Sequence, residues 1–222
     1  MKKIKPVHII LFGFLFVILI GSVLLTLPIA SKSGHATPYI DALFTSTTSV
    51  CVTGLVVETT MTYWSTFGQL VILVLIQLGG LGVITFTTGM FLFLKKKLTM
   101  KNRILIQESY SLNTMSGLIE LVRKIIEGIG AALFATQFIP EFGVKYGIWA
   151  SVFNSISAFC NAGIDIVQMD SLRSYITNPV VNFTVMGLII LGGLGFIVWR
   201  DLLRVFRHWL IGNSRFVELL ES

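Results

Sequence analysis

The sequence predicts an all-α integral membrane protein built from two helix–pore loop–helix repeats, with four spanning helices plus two short re-entrant pore helices. Three observations predict it. A pattern occurs twice: Phe44-Thr45-Ser46-Thr47-Thr48-Ser49-Val50-Cys51-Val52-Thr53-Gly54-Leu55 returns 109 positions later (Phe44 to Phe153) as Phe153-Asn154-Ser155-Ile156-Ser157-Ala158-Phe159-Cys160-Asn161-Ala162-Gly163-Ile164. Each copy precedes a long apolar run carrying Leu-Gly-Gly-Leu-Gly, Leu78 to Gly82 and Leu191 to Gly195. Composition is the second observation: 54% of the 222 residues are hydrophobic, 13% are charged, and the mean hydropathy is +0.83. A soluble domain of this size has no use for so much apolar surface. The third is the placement of charge, which flanks the apolar runs.

Val7–Leu27 is long enough, at about 31 Å, to cross a hydrocarbon core of about 30 Å, and Pro28 stops it. It follows Lys2, Lys3 and Lys5, but it is too long for a signal peptide and no small-residue cleavage site follows, so a retained spanning helix is expected. Thr37-Pro38 then reads as an N-cap and first-turn proline, with Asp41 complementing the dipole of a short helix running to about Val50. Such a helix, roughly 18 Å long, goes only part-way through a bilayer, and the chain returns through Cys51 to Leu55. Gln69–Leu94 is the second span.

Leu118–Ile139 is the third. Its first half carries Glu120, Arg123, Lys124 and Glu127, which suit the inner interface, where long side chains snorkel. Glu127 lies within one turn of Arg123 and Lys124, so pairing there outweighs an ion-ligand role. Trp149–Ala158 is the second short helix, and Pro179–Trp199 the fourth span. The organisation is therefore residues 1–94 for the first repeat, 95–117 for a cytoplasmic linker, 118–199 for the second repeat, and 200–222 for an amphipathic segment on the inner surface.

With the N-terminus inside, the inner segments hold Lys2, Lys3, Lys5, Lys95, Lys96, Lys97, Lys101, Arg103, Arg123, Lys124, Arg200, Arg204, Arg207 and Arg215. The outer ones hold Lys32, Lys145 and Arg173. Fourteen against three fixes the expected orientation, with a cytoplasmic N-terminus in a multi-pass plasma-membrane protein. The outer segments also carry Asp41, Glu58, Glu141, Asp165 and Asp170, a slightly negative mouth that favours cations. Tyr63, Trp64, Tyr146 and Trp149 near the outer ends, and Trp199 and Trp209 near the inner, suit an aromatic belt.

The loop after each short helix is where chemistry is expected. Irregular backbone at membrane depth survives where protein buries it or where it lines a water-filled path. A partly dehydrated monovalent cation needs several neutral oxygens, and backbone carbonyls supply them without fixed charge. Turning successive carbonyls the same way takes dihedral angles that glycine adopts at least cost. Gly54 and Gly163 are the candidates, with Val52, Thr53, Asn161 and Ala162 contributing neighbouring carbonyls. The Gly-Gly-Leu-Gly clusters permit close helix packing, with a gating hinge as the alternative. Cys51 and Cys160 are too few for a disulfide framework and have no metal-ligand spacing. No carboxylate pair, Ser/His/Asp set or nucleotide fingerprint stands out, so an enzyme ranks last. The net charge of +6 does not form a basic-aromatic surface, so no nucleic-acid partner is expected.

These loop stretches, with Gln77-Leu78-Gly79-Gly80-Leu81-Gly82, resemble the Trk/Ktr/HKT superfamily of potassium uptake proteins, and most closely its KtrB-like membrane subunits. The resemblance covers nearly the whole chain. It implies four helix–pore loop–helix repeats, each giving one quarter of a potassium filter through a single glycine. It implies K+ as the transported ion at Val52, Thr53, Gly54, Asn161, Ala162 and Gly163, Na+ as a coupling or regulatory ion, and no covalently bound cofactor. Glycine at these positions goes with potassium preference and serine with sodium permeation. The resemblance further implies a cytosolic ring of nucleotide-binding, KtrA-like subunits, which the Thr99–Ser116 linker would help to dock, and a homodimer in the full-length family. This chain departs from the family in holding two repeats. The family's third repeat, with its interrupted gating helix, has no counterpart. Either the sequence is a partial version or two chains associate to complete the ring. A non-conducting accessory membrane subunit is the competing function.

Overall fold

The structure, a computed structural model, describes residues 6–80, 101–168, 171–194 and 205, and the side chains among them outside 6, 7, 9, 10 and 101–120. The described residues are helical or irregular, with one isolated antiparallel bridge, between Ser31 and Trp64. In chain order the helices are α1 (Pro6–Thr26), α2 (Tyr39–Cys51), α3 (Thr60–Tyr63), α4 (Thr66–Gly80), α5 (Lys101–Phe142), α6 (Val144–Phe159) and α7 (Pro179–Gly193). Short 3-10 turns cover Pro28–Ala30 and Ser171–Tyr175. The chain divides into two compact units. One comprises residues 1–97 and 126–192, and holds the core around Trp64, Ile72, Ile76, Phe134, Phe138 and Phe153. The other comprises 98–125 and 193–222; its described part is chiefly the first stretch of α5, a helix that continues into the larger unit.

Among the described residues, one helical stretch, Leu121–Phe142, is long and apolar enough to cross a membrane. Leu11–Thr26, Thr66–Gly80 and Pro179–Gly193 are shorter apolar helices. The expected second and fourth spans run past Gly80 and Leu194, so residues 81–94 and 195–199 of those expectations lie outside the described residues. So does the amphipathic segment at 200–222, apart from Val205, and so do Trp199 and Trp209. α5 begins inside the stretch read as linker and runs through Pro140 to Phe142.

Two sequence expectations are corrected. α2 starts at Tyr39 with Pro38 at its N-cap and no side-chain cap. Thr37 is buried, and its hydroxyl oxygen accepts a hydrogen bond from the Tyr63 hydroxyl at 3.3 Å, so it anchors a loop where a cap was expected. The outer aromatic belt is corrected at Trp64 alone, while Tyr63, Tyr146 and Trp149 are half-buried. Trp64 is wholly buried and stacks edge-on with Tyr63. Tyr146 donates to the Ile166 carbonyl at 2.5 Å, and the Trp149 indole donates to Gln69 Oε1 at 2.7 Å. An indole or phenol at a helix end suits an interface and a half-polar core equally well, because both offer one apolar side and one hydrogen-bond acceptor.

What positions the loops is the same scaffold twice. The Ser46 hydroxyl donates to the Ile18 carbonyl of α1 at 2.8 Å, and the Ser155 hydroxyl donates to the Glu127 carbonyl of α5 at 2.6 Å. Both pairs are separated by the same 28 residues. Gly21 and Gly130 sit opposite these hydroxyls, where an added Cβ would collide with Ser46 Oγ and, at 2.6 Å, with Ser155 Oγ. Gly79 lets α4 run directly over the Val50 carbonyl, and Gly192 lets α7 do the same over the Phe159 carbonyl. Gly79, Gly80 and Gly192 of the Gly-Gly-Leu-Gly clusters are thus close-approach residues for small-residue helix packing.

Candidate functional site

Each short helix ends in a loop folded by one hydroxyl. In the first, the Thr48 Oγ1 accepts the Leu55 N–H at 3.1 Å and lies 2.6 Å from Thr53 Oγ1, while the Thr53 N–H reaches the Thr48 carbonyl at 3.1 Å. In the second, Ser157 Oγ accepts the Ile164 N–H at 3.2 Å and donates to the Ile164 carbonyl, while the Ala162 N–H reaches the Ser157 carbonyl at 2.8 Å. Thr48 and Ser157, like Leu55 and Ile164, occupy matched places in the duplicated pattern. The sequence reading missed these hydroxyls. Their signal was there, because a Ser or Thr seven residues before the residue that follows the glycine can reach back to the loop's N–H group.

Val52 and Asn161 take left-handed dihedrals, with φ of 56° and 59°, and Gly54 and Gly163 follow at 74° and 66°. Thr53 and Ala162, between them, do not. The left-handed residues thus alternate with ordinary ones in both loops. Glycine enters that region freely and asparagine readily, whereas valine pays for it. Val52 is therefore the strained member of the four.

The two loops meet. An ideal Cβ at Gly54 would stand 2.9 Å from the Ala162 carbonyl oxygen and 3.5 Å from Gly163 Cα, and one at Gly163 would stand 3.4 Å from Gly54 Cα. All six sequence-predicted residues thus fall in two loops that touch at their glycines. Thr53, Asn161 and Gly163 are exposed, Val52 and Gly54 are half-buried, and Ala162 is buried. The C-termini of α2 and α6 run into these loops, bringing the partial negative charge of two helix dipoles to one place.

Acidic groups stand beyond the second loop. Asp165 accepts the Ser171 hydroxyl at 2.5 Å and the Val167 N–H at 3.3 Å. Burial pushes its carboxyl above the usual range, against the pull of those hydrogen bonds. Glu141 accepts the Tyr175 hydroxyl and, at 3.2 Å, the Gln168 amide. Burial and then Glu141 hold the Tyr175 phenol far above its ordinary value. Glu127, weighed in the sequence as an interfacial pairing partner, is buried, with the Gln77 amide 3.5 Å from its carboxylate.

The second repeat packs on the first through α4. Besides the Trp149–Gln69 hydrogen bond, an added Cβ at Gly80 would lie 2.5 Å from Cys160 Sγ. Gln69, Leu73, Ile76 and Gly80 recur at spacings of four, three and four, which is one helix face.

The profile described as TrkH, cation transport protein, matches residues 9–220. The chain is 46% identical over 212 residues to the potassium/sodium uptake protein NtpJ of Enterococcus hirae, an alignment covering 93% of this chain and 47% of that protein. It is 40% identical over 208 residues to the Ktr system potassium uptake protein B of Bacillus subtilis, covering 91% and 46%. With the Ktr system potassium uptake protein B of Vibrio alginolyticus it shares 39% over 211 residues, covering 92% and 45%. The chain spans about half the length of the curated relatives it matches.

Proposed function

The chain belongs to the TrkH family of cation transport proteins, which are transporters of the membrane and not enzymes, and from that premise we propose that it forms half of a potassium uptake pathway. Carbonyls of Val52, Thr53, Gly54, Asn161, Ala162 and Gly163 replace part of the hydration shell of K+ as it crosses. One observation carries this reading: two loops of the same dihedral pattern, each ending a short helix, touch at their glycines. Alternating left-handed residues turn successive carbonyls to one side, and the two helix C-termini add negative potential there. K+ and Na+ are the ions named for the relatives, and neutral carbonyl oxygens suit both.

The short helices are re-entrant, entering from outside and returning, in two helix–pore loop–helix repeats with the N-terminus in the cytoplasm of a plasma-membrane protein. Fourteen inner against three outer basic residues support that orientation. The Ktr system names of the relatives support a further component, which we assign to a nucleotide-binding cytosolic ring, docked on the inner face of a membrane homodimer.

The test is uptake by potassium-uptake-deficient cells expressing this chain. Growth at low K+ supports conduction. Serine at Gly54 or Gly163 is then expected to lower the K+ over Na+ uptake ratio by an order of magnitude, about 1.4 kcal/mol, and an unchanged ratio removes the loops from the ion path. A second reading, a non-conducting accessory subunit, is favoured by the half-length match to the relatives. Stable membrane expression without growth would establish it.

A further inference from the structure

Each loop takes its shape from its own repeat. Thr48 closes the first and Ser157 the second. Each short helix also hangs on the long helix before it, through Ser46 on the Ile18 carbonyl and Ser155 on the Glu127 carbonyl. None of these bonds fixes how far one loop lies from the other. That spacing falls to contacts between the repeats, and α4 makes three of them. Gln69 accepts the Trp149 indole N–H at 2.7 Å, the Gln77 amide stands 3.5 Å from Glu127, and an added Cβ at Gly80 would stand 2.5 Å from Cys160 Sγ. The first is the short, directional one.

Gln69 faces both repeats at once. Its buried amide donates to the Trp64 carbonyl at 3.2 Å and the Thr60 carbonyl at 3.4 Å, both in the segment that returns from the first loop to α4. Those bonds use the amide hydrogens and leave Oε1 for the indole, which can only donate. Phe153, fully buried, holds the indole edge-on at 6.2 Å between ring centroids. The amide half of this arrangement recurs. Gly79 and Gly192 align at a spacing of 113, which sets Asn182 in the place of Gln69. The Asn182 amide donates to the Tyr175 and Ile176 carbonyls, at 3.2 Å and 2.9 Å. The indole half does not recur, because Ile40 stands 109 residues before Trp149 and has no N–H to give. The amide serves each repeat, whereas the indole serves the junction.

Apolar packing such as that of Cys160 on Gly80 has no preferred direction. A hydrogen bond weakens steeply when lengthened or bent, so the indole resists a slide of α6 along α4. A rigid helix would carry such a slide from Trp149 undiminished to Asn161, Ala162 and Gly163. The first loop lies directly opposite, where a Cβ on Gly54 would stand 2.9 Å from the Ala162 carbonyl oxygen. Cage size and the number of carbonyls reaching the ion both change with that gap, and both bear on the choice between K+ and Na+. We propose that Gln69 and Trp149 are a positioning pair: their hydrogen bond sets the spacing of the two loops and so the preference for K+ over Na+. Neither residue touches the ion. The inference rests on the carbonyl reading of the loops given above.

The test is melting of the full chain, purified in mild detergent, in KCl, NaCl and choline chloride at constant ionic strength. K+ is expected to stabilise the unmodified chain at lower concentration than Na+. Trp149→Phe and Gln69→Met are each expected to lower the ratio of the half-maximal Na+ and K+ concentrations about threefold to tenfold, the worth of one hydrogen bond. The double variant is expected to lower it no further than one substitution does, because both remove the same bond. It leaves neither partner buried without the other, so it is also the variant to read if a single one fails to fold. Leu25→Ala empties a buried site on α1 with no side-chain hydrogen bond to lose, and is expected to lower the melting temperature while keeping the ratio. An unmodified ratio in the Trp149 and Gln69 variants overturns the proposal. So does a double variant whose loss is the product of the two single losses, or a Leu25→Ala chain that loses the ratio equally. An unmodified chain that melts alike in all three salts overturns the carbonyl reading itself, and this inference with it. K+ preference kept in every variant overturns this inference alone. Binding is read here without conduction, so a chain that prefers K+ but takes none up leaves the positioning pair in place.

Discussion

In the second repeat, Phe153, Ile164 and Ile166 are buried. In the first, Phe44, Leu55 and Val57 hold the same places in the pattern and face outward. The local chemistry of the two loops is otherwise nearly identical, down to the hydroxyl that folds each one and the glycine that ends it. Local sequence therefore builds the loop, and its neighbour decides whether the loop is sealed. The hydroxyl and its hydrogen bonds need only residues within one repeat, whereas the second repeat also packs, at Trp149 and Cys160, on α4 of the preceding one.

The comparison can be broken most directly at the phenylalanines. Phe153→Ala is expected to cost about 3–5 kcal/mol of stability in detergent-solubilised protein, because it empties a fully packed site. Phe44→Ala, in protein dilute enough to be monomeric, is expected to cost below about 1 kcal/mol. Equal losses in a denaturant titration would mean that the first face is covered after all.

A smaller effect sharpens it. Ser157→Ala leaves the Ile164 N–H without a partner in a buried loop, at about 1–3 kcal/mol. Thr48→Val should cost less, since water can reach the exposed Leu55 in its place. Thermal melts of the two variants give the ordering, and a larger loss at Thr48 would reverse the assignment of which loop is sealed.

The smallest effect belongs to the second repeat alone, where Asp165 stands in place of the first repeat's Val56. Its raised folded-state pKa means that folding disfavours the ionised form. Stability on this account is highest below the ordinary carboxylate value, falls as pH rises from that value through the raised one, and is level above it. Asp165→Asn is expected to flatten that part of the melting-temperature profile.

Much of this was legible beforehand because duplication is a strong signal. The matched Phe, Ser, Cys and Gly positions located both loops, and the Gly-Gly pairs located the close helix approaches. The start of α6 was placed five residues late, at Trp149, because Val144–Ile148 carries no N-cap residue; the turn there is made by Gly143 at a φ of 78°. The burial of Trp64 and the partner of Trp149 escape the sequence for a different reason. Sequence reports that Trp64 and Trp149 sit near helix ends, but not that the Gln69 amide, fixed by the Thr60 and Trp64 carbonyls, waits to receive an indole from the other repeat. Long-range polar pairing of that kind leaves no periodic trace.

Val52 carries a consequence of its own. A β-branched side chain held at a φ of 56° pays on the order of 1–2 kcal/mol that Asn161, with its short amide, largely escapes. On warming, the two loops should consequently come undone one after the other, the Val52 loop at the lower temperature. The partially relaxed protein would then keep one intact ledge of peptide oxygens beside one that has already slackened.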